Sequence, residues 1–285
     1  MVYLLVAERS CSKTIRLVSE SIIKNTSNSK LFLICPSRDY DIFLSELHGL
    51  SVNIVLEDDI SEINLTSISN RMKTFKDRAG WYYQQFLKLS FDLYYKKHFG
   101  HLAGYVIWDA DTVMLKAPKL KSEDGSYIFI RGRSSLHAPY INTYESLFNY
   151  KSILKYSVIS QYMYINTDIL CAFREKINKK NISENWFYIV LDSLSYKDIS
   201  EFSEYEAYAN FAASQGIKYI LLKTKWFLLG SDVISPKKIT LEKLESVFSG
   251  YGHVAFERHR KNSNFFKSLI VRIYAKICLL FNLTP

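Results

Sequence analysis

Three short apolar runs, Val2–Ala7, Leu31–Cys35 and Val52–Leu56, fall within the first 56 residues, separated by two stretches of helical character. The runs are rich in β-branched and large apolar residues, as buried strands are. Ser12 can cap a helix reaching about Asn25, Pro36 closes the second run, and Asp41–Gly49 reads as a helix stopped by glycine. Strands that alternate with helices form a mostly parallel sheet with helices on its faces. Ligands of such sheets sit beyond the carboxyl ends of the strands. Arg9 stands at that end of the first strand, where it can meet a base or ribose or remain a solvated loop arginine.

The alternation continues. Trp81 to Phe99 has no helix breaker and a strong apolar period, so it reads as one helix. Gly104–Trp108, Tyr127–Ile130, Tyr162–Asn166 and Tyr219–Leu222 read as further strands, and Ser203 opens a helix over Glu204–Gln215. No repeat or low-complexity linker interrupts the chain. The expectation is a single α/β domain over residues 1–257 followed by a tail, 258–285. Apolar residues at 48% and charged residues at 23% exclude general disorder.

Charge sets the tail apart. Six of the 37 Lys and Arg lie in residues 258–285, and none of the 28 Asp and Glu does. The rest of the chain is close to neutral, which argues against a nucleic-acid-binding face. Phe266, Ile270, Ile273, Ile277 and Leu280 recur at helical steps, with Lys267, Arg272 and Lys276 on the flanks. An apolar stripe with basic flanks suits an anionic membrane surface. It equally suits a last helix packed on the domain. Cys11, Cys35, Cys171 and Cys278 lack the spacing of a zinc or redox site. With no secretory signal and no apolar run of ~18 residues, the expected location is cytoplasmic, peripheral on the inner membrane.

The chemistry concentrates at Val106-Ile107-Trp108-Asp109-Ala110-Asp111. Two carboxylates one residue apart, just past an apolar strand, need a cation or good partners. Hard oxygen ligands favour Mg²⁺ or Mn²⁺, commonly shared with substrate phosphates. His253, in the Gly-rich turn Gly250-Tyr251-Gly252, can supply a further ligand or be an ordinary polar residue. Gln85 and Lys88 share a helix face and, with Arg78, can meet a diphosphate; Lys88 can also be a plain surface charge. Glu204 and Glu206 sit at a helix start, where the macrodipole alone accommodates them; one facing a cleft can act as a base. Asn166 and Asp168 can bond sugar hydroxyls or simply make a turn.

These blocks, in this order, resemble the nucleotide-sugar glycosyltransferases of GT-A fold, in particular the glycogenin and bacterial lipopolysaccharide galactosyltransferase group. The resemblance runs over about residues 1–257. It is carried by Asp109-Ala110-Asp111, by the aromatic-rich helix from Arg78 to Leu89 before it, by Gln161 to Asp168, by Ser203-Glu204-Tyr205-Glu206 and by His253. It implies Asp109, Asp111 and His253 as ligands of Mn²⁺ or Mg²⁺. Arg9, Arg78, Gln85, Lys88 and Asp109 would bind the donor, Asn166 and Asp168 the acceptor, and Glu204 and Glu206 would be catalytic. The group often has Asp-Gln where Glu204 and Glu206 stand, and Gly at Thr167, which leaves the acceptor and the stereochemistry open.

The expected activity is metal-dependent transfer of a sugar from a nucleotide-diphosphate donor, UDP-sugar favoured, to a saccharide or lipid-linked saccharide in bacterial surface polysaccharide synthesis. A non-catalytic ligand- or membrane-binding protein on the same fold and a metal-dependent phosphohydrolase are the alternatives.

Overall fold

The computed structural model describes residues 1–60, 63–132, 135–257 and 265–281. In chain order the strands among them are β1 (Val2–Val6), β2 (Lys30–Cys35), β3 (Val52–Leu56), β4 (Gly104–Trp108), β5 (Thr112–Met114), β6 (Tyr127–Ile130), β7 (Tyr162–Asn166), β8 (Tyr219–Leu222), β9 (Trp226–Phe227) and β10 (His253–Ala255). The backbone forms two compact units, each built from separated stretches: Met1–Ile54, Trp108–Pro118 and Thr224–Pro285 in the first, Val55–Ile107 and Lys119–Lys223 in the second.

In the first unit β1 and β2 pair in parallel, Val2 opposite Lys30 through Val6 opposite Ile34. Every residue of β1 is buried, as a strand covered on both faces must be. A second ladder places β10 between β5, antiparallel, and β9, parallel. Helix Ile15–Asn25 holds β5 at both backbone groups of Met114. Ser21 Oγ accepts its N–H at 2.9 Å, and Asn25 Nδ2 donates to its carbonyl at 3.2 Å.

The last helix, Phe265–Leu280, has two faces. Ala275 and Cys278 are fully or nearly buried, and Tyr251 donates its hydroxyl to the Cys278 carbonyl at 3.3 Å. Ile273, Ile277 and Leu280, three members of the sequence stripe, are exposed, Leu280 by 81%. These three members of the stripe thus face outward, while Ala275 and Cys278 pack. Of the tail's basic residues, Arg258, Arg260 and Lys261 lie outside the described residues, and Lys276 is exposed. No described helix is long and apolar enough to cross a membrane.

In the second unit β6 and β8 pair in parallel, and β4 neighbours β7. Just past β7, Thr167 donates its N–H to the Ala103 carbonyl at 3.3 Å. Gly104 is pressed so closely on Ile165 that a Cβ there would sit 2.6 Å from its carbonyl oxygen. The end of β7 thus lies at the start of β4, and the two strands run in opposite directions. The helix expected over Trp81–Phe99 is two, Ala79–Lys88 and Phe91–Phe99. The break is at Leu89, whose carbonyl accepts from Arg174 at 2.6 Å instead of continuing the helix. Arg174 is buried and closes a two-point ion pair with Asp92, at 2.7 and 2.6 Å. Phe148 centres an aromatic core, with Tyr144, Phe173 and Phe211 about it at 4.9–5.0 Å between ring centroids.

Candidate active site

In the first unit the chain leaves β4 at Trp108 and turns through Asp109-Ala110-Asp111 into β5. Thr112 donates its N–H to the Asp109 carbonyl at 3.0 Å, and the Trp108 indole N–H donates to the Thr112 carbonyl at 2.7 Å. From the other side, Phe256 donates its N–H to the Asp111 carbonyl at 2.8 Å. The turn is thus fixed at both ends by backbone bonds, and its two acidic side chains remain partly accessible.

Their charge is poorly compensated. Burial pushes the Asp111 carboxyl up to about 7, and the neighbouring Asp109 and Glu257 carboxylates add to the rise. Nearby, burial and the Asp111 charge push the Cys11 thiol up to about 12. A divalent cation relieves this crowding. An Asp pair of this kind fits Mg²⁺ or Mn²⁺, which are commonly held by one or two carboxylates together with substrate phosphates. Glu257, just past β10, is close enough for its charge to act on Asp111; nothing in the sequence pattern around it marks it. Arg9 is exposed at the carboxyl end of β1, in a short 3₁₀ helix whose first N–H donates to Asp39 at 2.9 Å. That is the position expected of it.

His253, expected as a metal ligand, is the first residue of β10. It is opposite Met114 on the β5–β10 ladder, whereas Asp111 bonds Phe256, three positions on, or about 10 Å along the strand. Its ring is 2% exposed and lies between two indoles. Trp226 stacks on it at 5.6 Å and Trp108 meets it edge-on at 5.9 Å. No group of three or more His, Cys, Asp and Glu is gathered for a metal among the described residues. His253 fills an aromatic slot beneath the turn.

The second unit brings together Gln85, Lys88 and Glu204. Lys88 Nζ and Glu204 Oε1 are 2.8 Å apart, with side chains 4% and 7% exposed. Gln85 Oε1 accepts the Glu204 N–H at 2.9 Å. The two α-helical neighbours therefore clamp the start of helix Glu204–Ser214, whose N-cap Ser203 accepts from Glu206 N–H. Gln85, Lys88 and Glu204 are all buried, at 2%, 3% and 5% exposure.

Glu206 is 2% exposed, and its Oε1 accepts the Val158 N–H at 3.1 Å. Burial raises its carboxyl, partly offset by hydrogen bonds from Ser157 and Val158. It holds the segment entering β7, while its Oε2 is buried without a partner among the described residues. Arg78 is partly exposed, lies over Trp81 at 4.5 Å and donates to Ser200 Oγ at 3.3 Å. Its Nε finds no partner among the described residues, so of the three expected donor contacts on this unit it alone has unused capacity.

Asn166 and Asp168, expected to meet the acceptor, stand at the end of β7 and in the first turn of the helix after it. The Asn166 side chain caps the next helix, accepting the Ile169 N–H at 3.0 Å, and Asp168 is exposed on its first turn. Both stand at the amino end of β4, away from the carboxyl end where ligands of such sheets bind. The reversed direction of β7 instead carries its entry, Ser157 to Gln161, to that carboxyl end. The segment is tightly held: Gly132 approaches so closely that a Cβ would lie 2.8 Å from the Ile159 carbonyl oxygen. Ser160 and Gln161 lie on that segment, both buried, and the strand direction that brings them there is not legible in the sequence.

No family model matches the chain, and no curated protein does. Solved structures do. A galactosyltransferase, LgtC, in complex with donor and acceptor sugar analogs is similar at a TM-score of 0.50 and 9% identity, covering 100% of this chain and 97% of that one. Mouse xyloside xylosyltransferase 1, in its apo form, is similar at a TM-score of 0.46 and 10% identity, over 93% of this chain and 100% of that one. The chain has a GT-A fold similar to that of LgtC.

Proposed function

We propose that this chain of GT-A fold is a metal-dependent glycosyltransferase. Its donor is a nucleotide-diphosphate sugar, UDP-sugar favoured, and its acceptor a saccharide or lipid-linked saccharide. The observation that carries the reading is the Asp109–Asp111 turn: two crowded carboxylates, one driven up by burial and by its acidic neighbours, on a backbone fixed at both ends. Asp109 and Asp111 hold Mn²⁺ or Mg²⁺, which when bound supplies the positive charge that stabilises a departing diphosphate. Arg9 orients the base or ribose at the end of β1. Arg78 offers a guanidinium for the sugar or phosphate groups, and Gln161 bonds sugar hydroxyls. Glu204 and Glu206 act through others, fixing the helix start and the Val158 segment.

A role in bacterial surface polysaccharide synthesis rests on the resemblance in sequence and on the acid-free basic tail, which suits a membrane-bound acceptor. The protein is then peripheral on the cytoplasmic face of the inner membrane. The test of the activity is incubation of the full chain with a panel of nucleotide sugars and Mn²⁺, followed by mass spectrometry. Nucleoside diphosphate release that rises with a saccharide acceptor supports the reading. Release of inorganic phosphate without acceptor dependence would establish a phosphohydrolase instead, and no turnover of any donor a binding protein.

A further inference from the structure

In the second unit the carboxyl ends of β6 and β8 carry cations that the fold leaves unused. The parallel register sets Ile130 opposite Leu222, and the Arg131 N–H donates to the Leu222 carbonyl at 2.9 Å. Arg131 and Lys223 therefore follow directly on neighbouring strands. Neither side chain makes an ion pair or a hydrogen bond among the described residues.

Arg131 is nevertheless held in place. Its guanidinium carbon lies 3.4 Å from the centre of the Tyr156 ring. At that distance only a face-to-face stack keeps the nitrogens out of the ring. The stack leaves the edge of the guanidinium, where its N–H donors lie, clear of the tyrosine. The backbone fixes it: Gly132 donates its N–H to the Ser157 carbonyl at 2.7 Å, joining the residue after Arg131 to the residue after Tyr156. A planar fork of donors held in this way matches the oxygens of a carboxylate or a phosphate.

The surrounding charge has the matching sign. Residues 125–144, 146–167 and 207–231, which include β6, β7 and β8, contain no Asp or Glu. Glu145, between the first two stretches, is bonded to Lys151 and to the Ser152 N–H. Glu206, which reaches the Val158 N–H, is 2% exposed and does not share the surface. Lys155, beside Tyr156, is exposed. Ligands of such sheets bind beyond the carboxyl ends of the strands, and the entry to β7, Ser157 to Gln161, begins immediately after Tyr156.

We propose that Arg131, stacked on Tyr156 and flanked by Lys223, receives a carboxylate or phosphate of the acceptor, so that the sugar is transferred to an acidic saccharide. The acceptor role rests on the transferase reading above; the anion site does not.

Binding tests the site without turnover. Methyl glucuronide carries the anion as a carboxylate, glucose 6-phosphate as a phosphate ester, and methyl glucoside is the neutral reference. Each is titrated by NMR against the full chain at low salt, with chelator present so that no metal holds the phosphate. One charged probe or both should bind about tenfold more tightly than methyl glucoside, the ratio a charge-assisted hydrogen bond supplies. Arg131→Gln should abolish that preference. Arg131→Lys, which keeps the charge and loses the fork, and Tyr156→Leu, at a position 43% exposed, should each reduce it in part. A preference for the glucuronide alone assigns an acidic sugar, and for the phosphate alone a phosphorylated acceptor. Equal binding of all three probes, or a preference that survives Arg131→Gln, overturns the inference. In the transferase assay Arg131→Gln should raise KM for an acidic acceptor and not for a neutral one. Turnover with both KM values unchanged overturns the acceptor role and leaves the transferase standing. Arg131-dependent binding with no turnover of any donor overturns the transferase reading, and the acceptor role with it, while the anion site stands.

Discussion

Lys88 and Glu204, 116 residues apart in sequence, form an ion pair of 2.8 Å from which water is almost wholly excluded. Each side chain reads in isolation as a candidate for chemistry: a basic residue on an aromatic-rich helix, an acid at a helix start. Together they are a structural joint. Breaking such a pair from one side leaves a bare buried charge, while replacing both partners by apolar groups does not. Lys88→Met alone should therefore cost about 3–5 kcal/mol of stability, and Lys88→Met with Glu204→Met distinctly less. Urea unfolding of the single and double variants checks this, and additive losses would contradict it.

Asp111 gives a pH dependence with a definite sign. Its carboxyl is raised in the folded protein from 3.8 to about 7, so the folded state holds a proton that the unfolded chain releases. The stabilisation is complete below the unfolded value and is lost as pH rises through about 7. The melting temperature of metal-free protein should thus fall between about pH 5 and about pH 8. Asp111→Asn should flatten that fall and melt higher than the parent at the alkaline end. Added Mn²⁺ should raise the melting temperature of the parent and leave the variant unchanged.

His253→Ala separates a packing role from ligation. The change empties a slot between two indoles, and large-to-small core changes cost about 2–5 kcal/mol. Calorimetric Mn²⁺ affinity should stay within about twofold of the parent, well under the tenfold that ~1.4 kcal/mol represents.

The direction of β7 distinguishes its two ends in activity. Asn166→Ala removes a helix cap and should cost about 1 kcal/mol in stability with turnover little altered. Gln161→Ala should do the reverse, raising KM or lowering kcat in the transferase assay at nearly unchanged stability. Equal kinetic effects at both ends would remove the β7 entry from the site.

The exposed face of the last helix should bind anionic vesicles. Ile273→Asp with Ile277→Asp alters two residues that are 51% and 44% exposed, so folding should survive while sedimentation with vesicles declines. Binding by the parent should weaken as salt rises, since exposed charges are screened over about 8–10 Å. Equal sedimentation of parent and variant would dispose of membrane attachment.

Local signals made much of the fold legible. β3, β4, β6, β7 and β8 lie where their apolar runs put them, because a short β-branched or aromatic stretch between turn residues specifies its own state. The Asp109–Asp111 turn was legible for the same reason: two charges just past a buried strand need an explanation. What stayed hidden depends on distant partners. Nothing near Leu89 announces that Arg174 will take its carbonyl and break the helix. Strands of two or three residues, such as β9 and β10, have too little pattern to detect. The direction of β7 is invisible in its own residues.

The ladder of β5 and β10 also has a consequence for biogenesis. Asp111 is translated early, but the N–H that fixes its carbonyl comes from Phe256, 145 residues later. On a ribosome adding about 5–20 residues per second, the acidic turn waits several seconds for its second anchor. During that interval a hydrophobic strand, Thr112–Met114, lacks its partner, a condition that favours aggregation. A cell making this protein must shelter that strand until the last tenth of the chain has emerged, so the nascent polypeptide, rather than the finished one, is where a chaperone matters most.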